Sequence, residues 1–478
     1  MKRINYTKFA CVFIFLIGVA TNAQVRKWTL QECVEYALQN NISIKQTDLD
    51  NQLALIDKKD AYGSFLPSIN GSASHSWNIG LNQNITTGLL ENQTVQFTSV
   101  GLNAGIDIYK GLQNLNRLKR ARLSIIASQY QLTKMKDDVS LNVANAFLQI
   151  LFNKENLKVQ KEQLQNNEKQ MERTTELVNA GSVPRGDLLD MKATVASSQQ
   201  AVIIAENTLL ISKLSLAQLL QFEDFQNFDI ADNDYEVTES ETMLQTPLQI
   251  FEKAKETRVE LKLAKANLDI AEKDVIIAKG AYQPTLQGFY SFSSRAAYSD
   301  RVIGAVEDTD NPTPIGFVQG TNQVVVQPNY SPVLGGPAPI FNQFSDNKGH
   351  SFGVQLNIPI LNGFSARNNV ARSRVALDRS KIAYSQQELD LERNVYTAFT
   401  DAKGALKSYE SALAAVEART EAYNYAKEKF DVGLMNAFDL NQAQTLFVNA
   451  QSEVLRTKFD YIFRVKVLEF YFGIPITQ

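Results

Sequence analysis

Acid, base, nucleophile and ligand chemistry have little to draw on in this chain of 478 residues, which holds two histidines and two cysteines. Cys11 lies in an apolar leader stretch and no lipid-attachment pattern precedes Cys33, so an exported form keeps one thiol and forms no internal disulfide. His75 falls in an alternating apolar and polar segment and His350 lies just before another, positions that suit interfacial side chains. An enzyme site needs acids, bases or nucleophiles brought together, and a metal site needs clustered ligands. No enzymatic activity, cofactor or resident metal is expected. The carboxylates are left: Asp187 and Asp190 follow the Gly181 to Pro184 turn, and Asp439 follows the turn at Gly433. A carboxylate at a helix start stabilises the positive end of the helix dipole, and such residues often do only that.

The elements holding these turns repeat. At an offset of 252, Gly111 pairs with Gly363, Ala146-Phe147 with Ala398-Phe399, Gly181 with Gly433, and Asp187-Leu188 with Asp439-Leu440. Val143, Ile150, Leu157, Leu164, Met171 and Val178 recur every seven residues, and so do Val395, Ala402, Tyr409, Val416, Tyr423 and Phe430. A second series, Leu188, Val195, Val202, Leu209 and Leu216, is matched by Leu440, Phe447, Val454, Tyr461 and Leu468. A seven-residue period implies left-handed coiled coils, and the turns fold each copy into an antiparallel hairpin. Leu112 to Asn179 would form a helix on the order of 100 Å long, while the return from Arg185 to Gln221 covers only ~55 Å. Thr29 to Phe65, and Pro247 to Tyr282 in the second half, supply the missing length, giving four rods of equal length.

Pro67 and Pro284 end the short helices and start extended segments. Residues 68–79, 96–109, 285–294 and 351–360 alternate with period two, Phe289 breaking the pattern in the third. Faces rich in Ser, Asn, Gln and Gly opposite apolar faces fit a water-filled membrane barrel, which four strands cannot close alone. Residues 295–350, with Pro312, Pro314, Pro328, Pro332 and Pro337, read as a long irregular extracellular loop. Residues 1–23 read as a secretory signal: Lys2, Arg3 and Lys8 precede an uncharged run, and their removal takes the formal charge from -3 to -6. That acidic balance excludes nucleic acid as a partner.

The opening Trp28-Thr29-Leu30-Gln31-Glu32-Cys33-Val34-Glu35-Tyr36-Ala37-Leu38-Gln39-Asn40-Asn41, the Pro67 and Pro284 junctions, the Lys110-Gly111 and Asn362-Gly363 strand ends, and the Ala180-Gly181 and Val432-Gly433-Leu434 turns resemble the TolC-like outer-membrane efflux protein family. The resemblance implies a mainly α protein with β: two repeats of long coiled-coil hairpins, with four strands per chain in a homotrimeric twelve-stranded barrel in outer-membrane lipid. It implies a passive conduit of a tripartite efflux or type I secretion system, served by a periplasmic adaptor and an inner-membrane transporter. Ala180, Gly181, Ser182, Val432, Gly433 and Leu434 would meet the adaptor. Asp439 stands where the family has a gating aspartate, with Asp187 and Asp190 in the first copy, while the second family aspartate falls on Gln442.

The expected layout is the signal at 1–23, short helices at 24–66, two strands at 67–110, the first long hairpin at 111–222 and an acidic connector at 223–247. Short helices at 248–283, two strands at 284–362, the second long hairpin at 363–473 and a tail at 474–478 complete it. The connector holds eight acidic residues between Phe222 and Pro247 and reads either as part of an equatorial belt or as a solvated linker. A non-conducting envelope stalk built from the same hairpins is the competing function.

Overall fold

The computed structural model describes residues 27–84, 86, 88–223, 227–232, 237 and 240–476, so the expected signal at 1–23 lies outside the described residues, as does part of the acidic connector. The helices are α1 (Leu30–Asn40), α2 (Ile42–Gly63), α3 (Gln113–Asn179), α4 (Arg185–Leu220), α5 (Pro247–Thr257), α6 (Val259–Lys279), α7 (Ile340–Asp346), α8 (Ser365–Asp431) and α9 (Ala437–Phe472). The strands are β1 (Lys27–Trp28), β2 (Ser68–Gln83), β3 (Leu90–Lys110), β4 (Asp229–Ile230), β5 (Thr285–Ala297), β6 (Arg301–Phe317), β7 (Val324–Gly335) and β8 (Gly349–Asn357). The two long helices have 67 residues each and the two return helices 36 each. The chain divides into two compact units: Met1–Leu55, Leu123–Ala271 and Leu377–Gln478 form the first, Ile56–Arg122 and Glu272–Ala376 the second.

In the first unit the short helices begin with matching caps. Thr29 and Glu32 form a capping box on α1; Thr246 and Gln249 form one on α5, with Pro247 in its first turn. Each short helix then breaks at one extended residue, Asn41 (φ -58°, ψ 130°) or Arg258 (φ -68°, ψ 130°). Asn41 Nδ2 donates to Leu219 O at 2.9 Å and Arg258 Nη1 to Phe470 O at 3.4 Å. These carbonyls belong to the last turns of α4 and α9, so α2 begins beside the end of α4, and α6 beside the end of α9. The side chain at each break thus adds a hydrogen bond to a carbonyl in the last turn of a return helix, where intrahelical partners run out.

The polar contacts fix the order of the rods. Asn51 and Ser128 join α2 to α3, Asp137 and Arg258 tie α3 to the start of α6, and Lys255 and Glu388 link the end of α5 to α8. Further along, Lys161–Glu206 joins α3 to α4, Asn156–Ser452 joins α3 to α9, and Arg464–Asp401 joins α9 to α8. The wall therefore reads α2 with α4, then α3, then α6 with α9, then α8. Its outer rods keep apolar faces in the open: Ile42 and Leu49 on α2, Ile382, Leu389 and Tyr396 on α8, and Ile203, Ile204, Leu210 and Ile211 on α4 are all exposed. One 18-residue window of α4 reaches a mean hydropathy of 1.3 with only 22% of it buried, because the helix is apolar on two faces and the hairpin covers one.

The acidic connector is packed where it is described. Phe228 and Ile230 are buried, β4 pairs in parallel with β1, and Asp229 lies 2.9 Å from Lys213 and 3.4 Å from Lys154, which excludes a solvated linker there. Burial alone would raise the Asp229 carboxyl, but the two lysines hold it below the usual carboxylate range. Cys33 is fully buried and its thiol is pushed up to about 12 by that burial, as an inert core thiol.

In the second unit β2, β3, β5 and β8 form one antiparallel sheet in that order. One face carries Ser74 bonded to Ser99, Ser291 to Asn103 and Gln287 to Asp107, at 2.7–2.9 Å. The other exposes Ile69, Trp77, Ile79, Phe352, Val354 and Leu356. Phe289, the misfit in the third strand, lies on the polar side over Gly353, its pairing partner, whose missing Cβ makes room for the ring. The fourth strand stops at Asn357, short of the expected Ile360, because its neighbour β5 begins at Thr285, the residue paired with Asn357.

Residues 295–350 are ordered, contrary to the irregular loop expected from their prolines. β5 runs on to Ala297, β6 and β7 pair as a ribbon, and α7 is held to β5 by Gln343, bonded to Ala297 N at 2.8 Å and Ala297 O at 3.0 Å. Both strands of a two-stranded ribbon are edges, so a proline whose nitrogen faces outward removes no ladder bond. Pro312 and Pro328 fall in the bulge between the Asp308–Asn329 and Thr313–Gln327 pairs.

Candidate gate and channel wall

The two hairpin turns share one geometry. Gly181 (φ +72°) and Gly433 (φ +75°) take the left-handed conformation just past α3 and α8. Ser182 N donates to Leu177 O and Leu434 N to Lys429 O at 2.9 and 2.8 Å, while each glycine N bonds a carbonyl three residues back. This double bond pattern satisfies the last helix carbonyls, and it needs a residue without a Cβ penalty at the glycine. Ala180, Gly181, Ser182, Val432, Gly433 and Leu434 are all exposed.

The return helices start differently. Asn436 caps α9 by accepting from Asp439 N at 2.8 Å, and its Nδ2 donates to Asp439 Oδ2 at 3.1 Å. Asp439 is thus exposed and engaged in a reciprocal cap. Helix α4 begins after Pro184 with no side-chain cap; Asp187 is half-buried in its first turn and Asp190 is exposed one turn on. The three carboxylates lie in the first turns of the return helices or just beyond them.

Between the hairpins the structure brings together residues outside the set expected from the sequence. Arg173 Nη1 bonds Asp431 Oδ1 at 2.7 Å, linking α3 to α8 two residues before the Gly433 turn. Deeper, Asn167 is 2% exposed; it receives Gln444 Nε2 and donates to Ser198 Oγ, both at 2.6 Å, while Asn441 Nδ2 reaches Thr194 Oγ1 at 3.1 Å. These residues line a cavity of about 430 Å³. A polar layer of this kind specifies register in a coiled coil at a cost in stability. Its signal lay in the sequence: Asn153, Gln160, Asn167 and Thr174 recur every seven residues, three positions after the apolar series.

On the sheet's polar side the wall carries Asp107, bonded to Lys110 Nζ and Gln287 Nε2, both at 2.7 Å. On the apolar side His75 bonds Thr98 Oγ1 at 2.8 Å and packs on Trp77, while His350 bonds the Tyr290 hydroxyl at 2.9 Å. Each histidine has an aromatic and hydroxyl setting of the kind found at membrane interfaces.

Comparison with known proteins comes to the same architecture. The profile of a family described as "Outer membrane efflux protein" matches residues 33–220 and 250–470. The chain is similar to the outer membrane protein TolC of Vibrio cholerae, at 21% identity over 451 residues that cover 91% of this chain and 88% of that protein. It is also similar to the pyoverdine export outer membrane protein OpmQ of Pseudomonas aeruginosa, at 27% identity over 214 residues, 44% of each chain. The solved outer-membrane channel CmeC of Campylobacter jejuni superposes with a TM-score of 0.73 at 18% identity, covering 93% of this chain and 85% of that one.

Proposed function

The chain belongs to the outer membrane efflux protein family, and on that premise we propose that it is one of three identical subunits of a passive duct through which cargo leaves the cell. As a member it is an outer-membrane protein that extends into the periplasm. The observation that carries the duct reading is the four-stranded sheet, with one exposed apolar face, one polar face and, among the described residues, no strand paired to the outer side of β2 or β8. Unpaired edges in lipid would cost several kcal/mol per backbone group, so the sheet must be closed by other copies. Three copies give twelve strands, enough to enclose water where eight are filled by side chains. The ribbon between β5 and β8 then stands outside the cell.

In this reading the helical wall is the periplasmic tube. Ala180, Gly181, Ser182, Val432, Gly433 and Leu434 present exposed tips to a periplasmic adaptor, which receives cargo from an inner-membrane transporter. The Arg173–Asp431 ion pair holds the second hairpin to the first in the closed tube, with Asp439, Asp187 and Asp190 near the mouth. Three copies of Asp439 around an axis repel one another and attract cations. Conduction requires no side-chain chemistry: the wall excludes lipid, the polar faces hydrate the path, and the energy comes from the transporter.

The test is deletion of the gene followed by complementation. Cells lacking it should accumulate a small-molecule cargo and lose tolerance to it, and the intact gene should restore both. Loss of a secreted protein with tolerance unchanged would move the duct to a type I secretion system. Extraction without detergent as a monomer would identify a stalk and overturn the reading.

A further inference from the structure

On the polar side of the sheet, where the lower ends of β3 and β5 meet the start of α3, a cavity of about 430 Å³ is lined in part by Asp107, Lys110, Asn114, Arg117, Gln287 and Gln355. All six belong to the second compact unit. A pocket of this size takes a small molecule. Some of its polar groups are already engaged: Asp107 is bonded to Lys110 and Gln287, so this carboxylate and this ammonium cancel. Two groups are left over. Asn114 is 6% exposed; its Nδ2 donates to Ser64 O at 3.1 Å, and its buried Oδ1 accepts no hydrogen bond among the described residues. Arg117 is exposed, pairs with no carboxylate among the described residues and reaches Gln113 Oε1 at 3.4 Å.

The second copy of the repeat builds the same strand-to-helix junction without these groups. The 252-residue offset carries Asp107, Lys110, Asn114 and Arg117 to Pro359, Asn362, Ala366 and Asn369, none of them charged. The backbone is alike in both copies: Gly111 and Leu112 each have φ +57°, and Gly363 and Phe364 have φ +58° and +64°. Ala366 is 5% exposed, so the helix position is buried in both. The second copy fills it with a small apolar side chain. The first holds an amide there and leaves one acceptor unpaired, which destabilises the fold unless a donor arrives from outside the chain. The turn from strand to helix makes the same demands twice, so it does not account for a set of charged and polar residues present once.

We propose that this cavity binds a small hydroxycarboxylate, with its carboxylate on the Arg117 guanidinium and a hydroxyl donating to Asn114 Oδ1. The planar guanidinium fork matches the two oxygens of a carboxylate. A carbonyl oxygen is satisfied by a donor alone, which excludes a second carboxylate at Asn114. An ammonium donor would meet the uncompensated positive charge of Arg117, because Asp107 is already neutralised by Lys110, so the donor is a hydroxyl. The role of the occupant rests on the duct reading above: the polar side of the sheet then borders the water path, and the hydroxycarboxylate is cargo held in passage.

Calorimetric titration of the full chain, purified in detergent, with malate and with succinate tests the site, because the two acids differ by one hydroxyl. Malate should bind at least about fivefold more tightly than succinate. Asn114→Ala should bring malate down to the succinate level and leave succinate unchanged, while Arg117→Asn should weaken both acids by about tenfold or more. No binding of malate by the parent, or equal affinity for the two acids, overturns the proposal. An Arg117→Asn variant that binds malate as the parent does also overturns it, and that exposed position decides the outcome if Asn114→Ala does not fold. Current across a planar bilayer separates the site from the duct. A parent that conducts but binds neither acid keeps the duct and loses the site; one that binds malate with the expected variant pattern but never conducts keeps the site and loses the duct.

Discussion

Asp229 is a partly buried carboxylate flanked by two lysines. Its carboxyl is held below the ordinary 3.8 despite burial because Lys213 and Lys154 flank it. A group with a lowered folded-state value stabilises the fold above its unfolded value and loses that contribution as pH falls through the folded one. Melting of the detergent-solubilised protein should therefore weaken below about pH 4, and Asp229→Asn should lower the melting temperature at pH 7 while flattening the acid limb. Cys33 should resist thiol reagents in the folded protein and react on denaturation, since only the thiolate is nucleophilic. At this scale the sequence was partly readable. Turn glycines and helix-start carboxylates announce themselves by type and spacing. Arg173 and Asp431, 258 positions apart, become a pair only once two hairpins lie side by side. Arg258 carries no signal of its burial in the sequence, yet it is 5% exposed, held by Asp137 and Glu260 and stacked 3.7 Å from the centre of the Phe470 ring.

The helices are held by their ends. Replacing Asn436 with Ala removes the only side-chain cap of α9 and should cost about 0.5–2 kcal/mol. Gly433→Ala forces a side chain into a left-handed conformation and should cost roughly 1 kcal/mol. Denaturant unfolding of each variant measures both, and Asp439→Ala should cost less than Asn436→Ala if its cap contribution is secondary. Elements of this length were legible because the heptad register persists over many turns: the helix read over Leu112 to Asn179 is found as Gln113–Asn179. The β6–β7 ribbon was not legible, since proline is a breaker in a central strand but tolerated on an outward edge, and the sequence alone does not say which strands are edges. The early end of β8 escaped for a related reason: its sequence alternates beyond Asn357, but pairing needs a neighbour.

Across the whole molecule the common feature is apolar surface and sheet edge that the single chain leaves uncovered. The apolar stripe of α4, the exposed heptad positions of α2 and α8, and the unpaired edges of β2 and β8 all lie on the outer members of their layers. Ile204→Lys with Ile211→Lys should leave the helix content of the protomer unchanged by circular dichroism and reduce assembly in detergent, because both residues are already in water in the single chain. The account stands most directly on conduction. Purified oligomer added to one side of a planar lipid bilayer should insert and give discrete, long-lived current steps without nucleotide or transporter. Multivalent cations added on the side of the hairpin tips should block these currents, and Asp439→Asn should relieve the block. Stable insertion with no current in the parent protein, or quantitative release of the native protein from membranes by a salt wash, would contradict a duct.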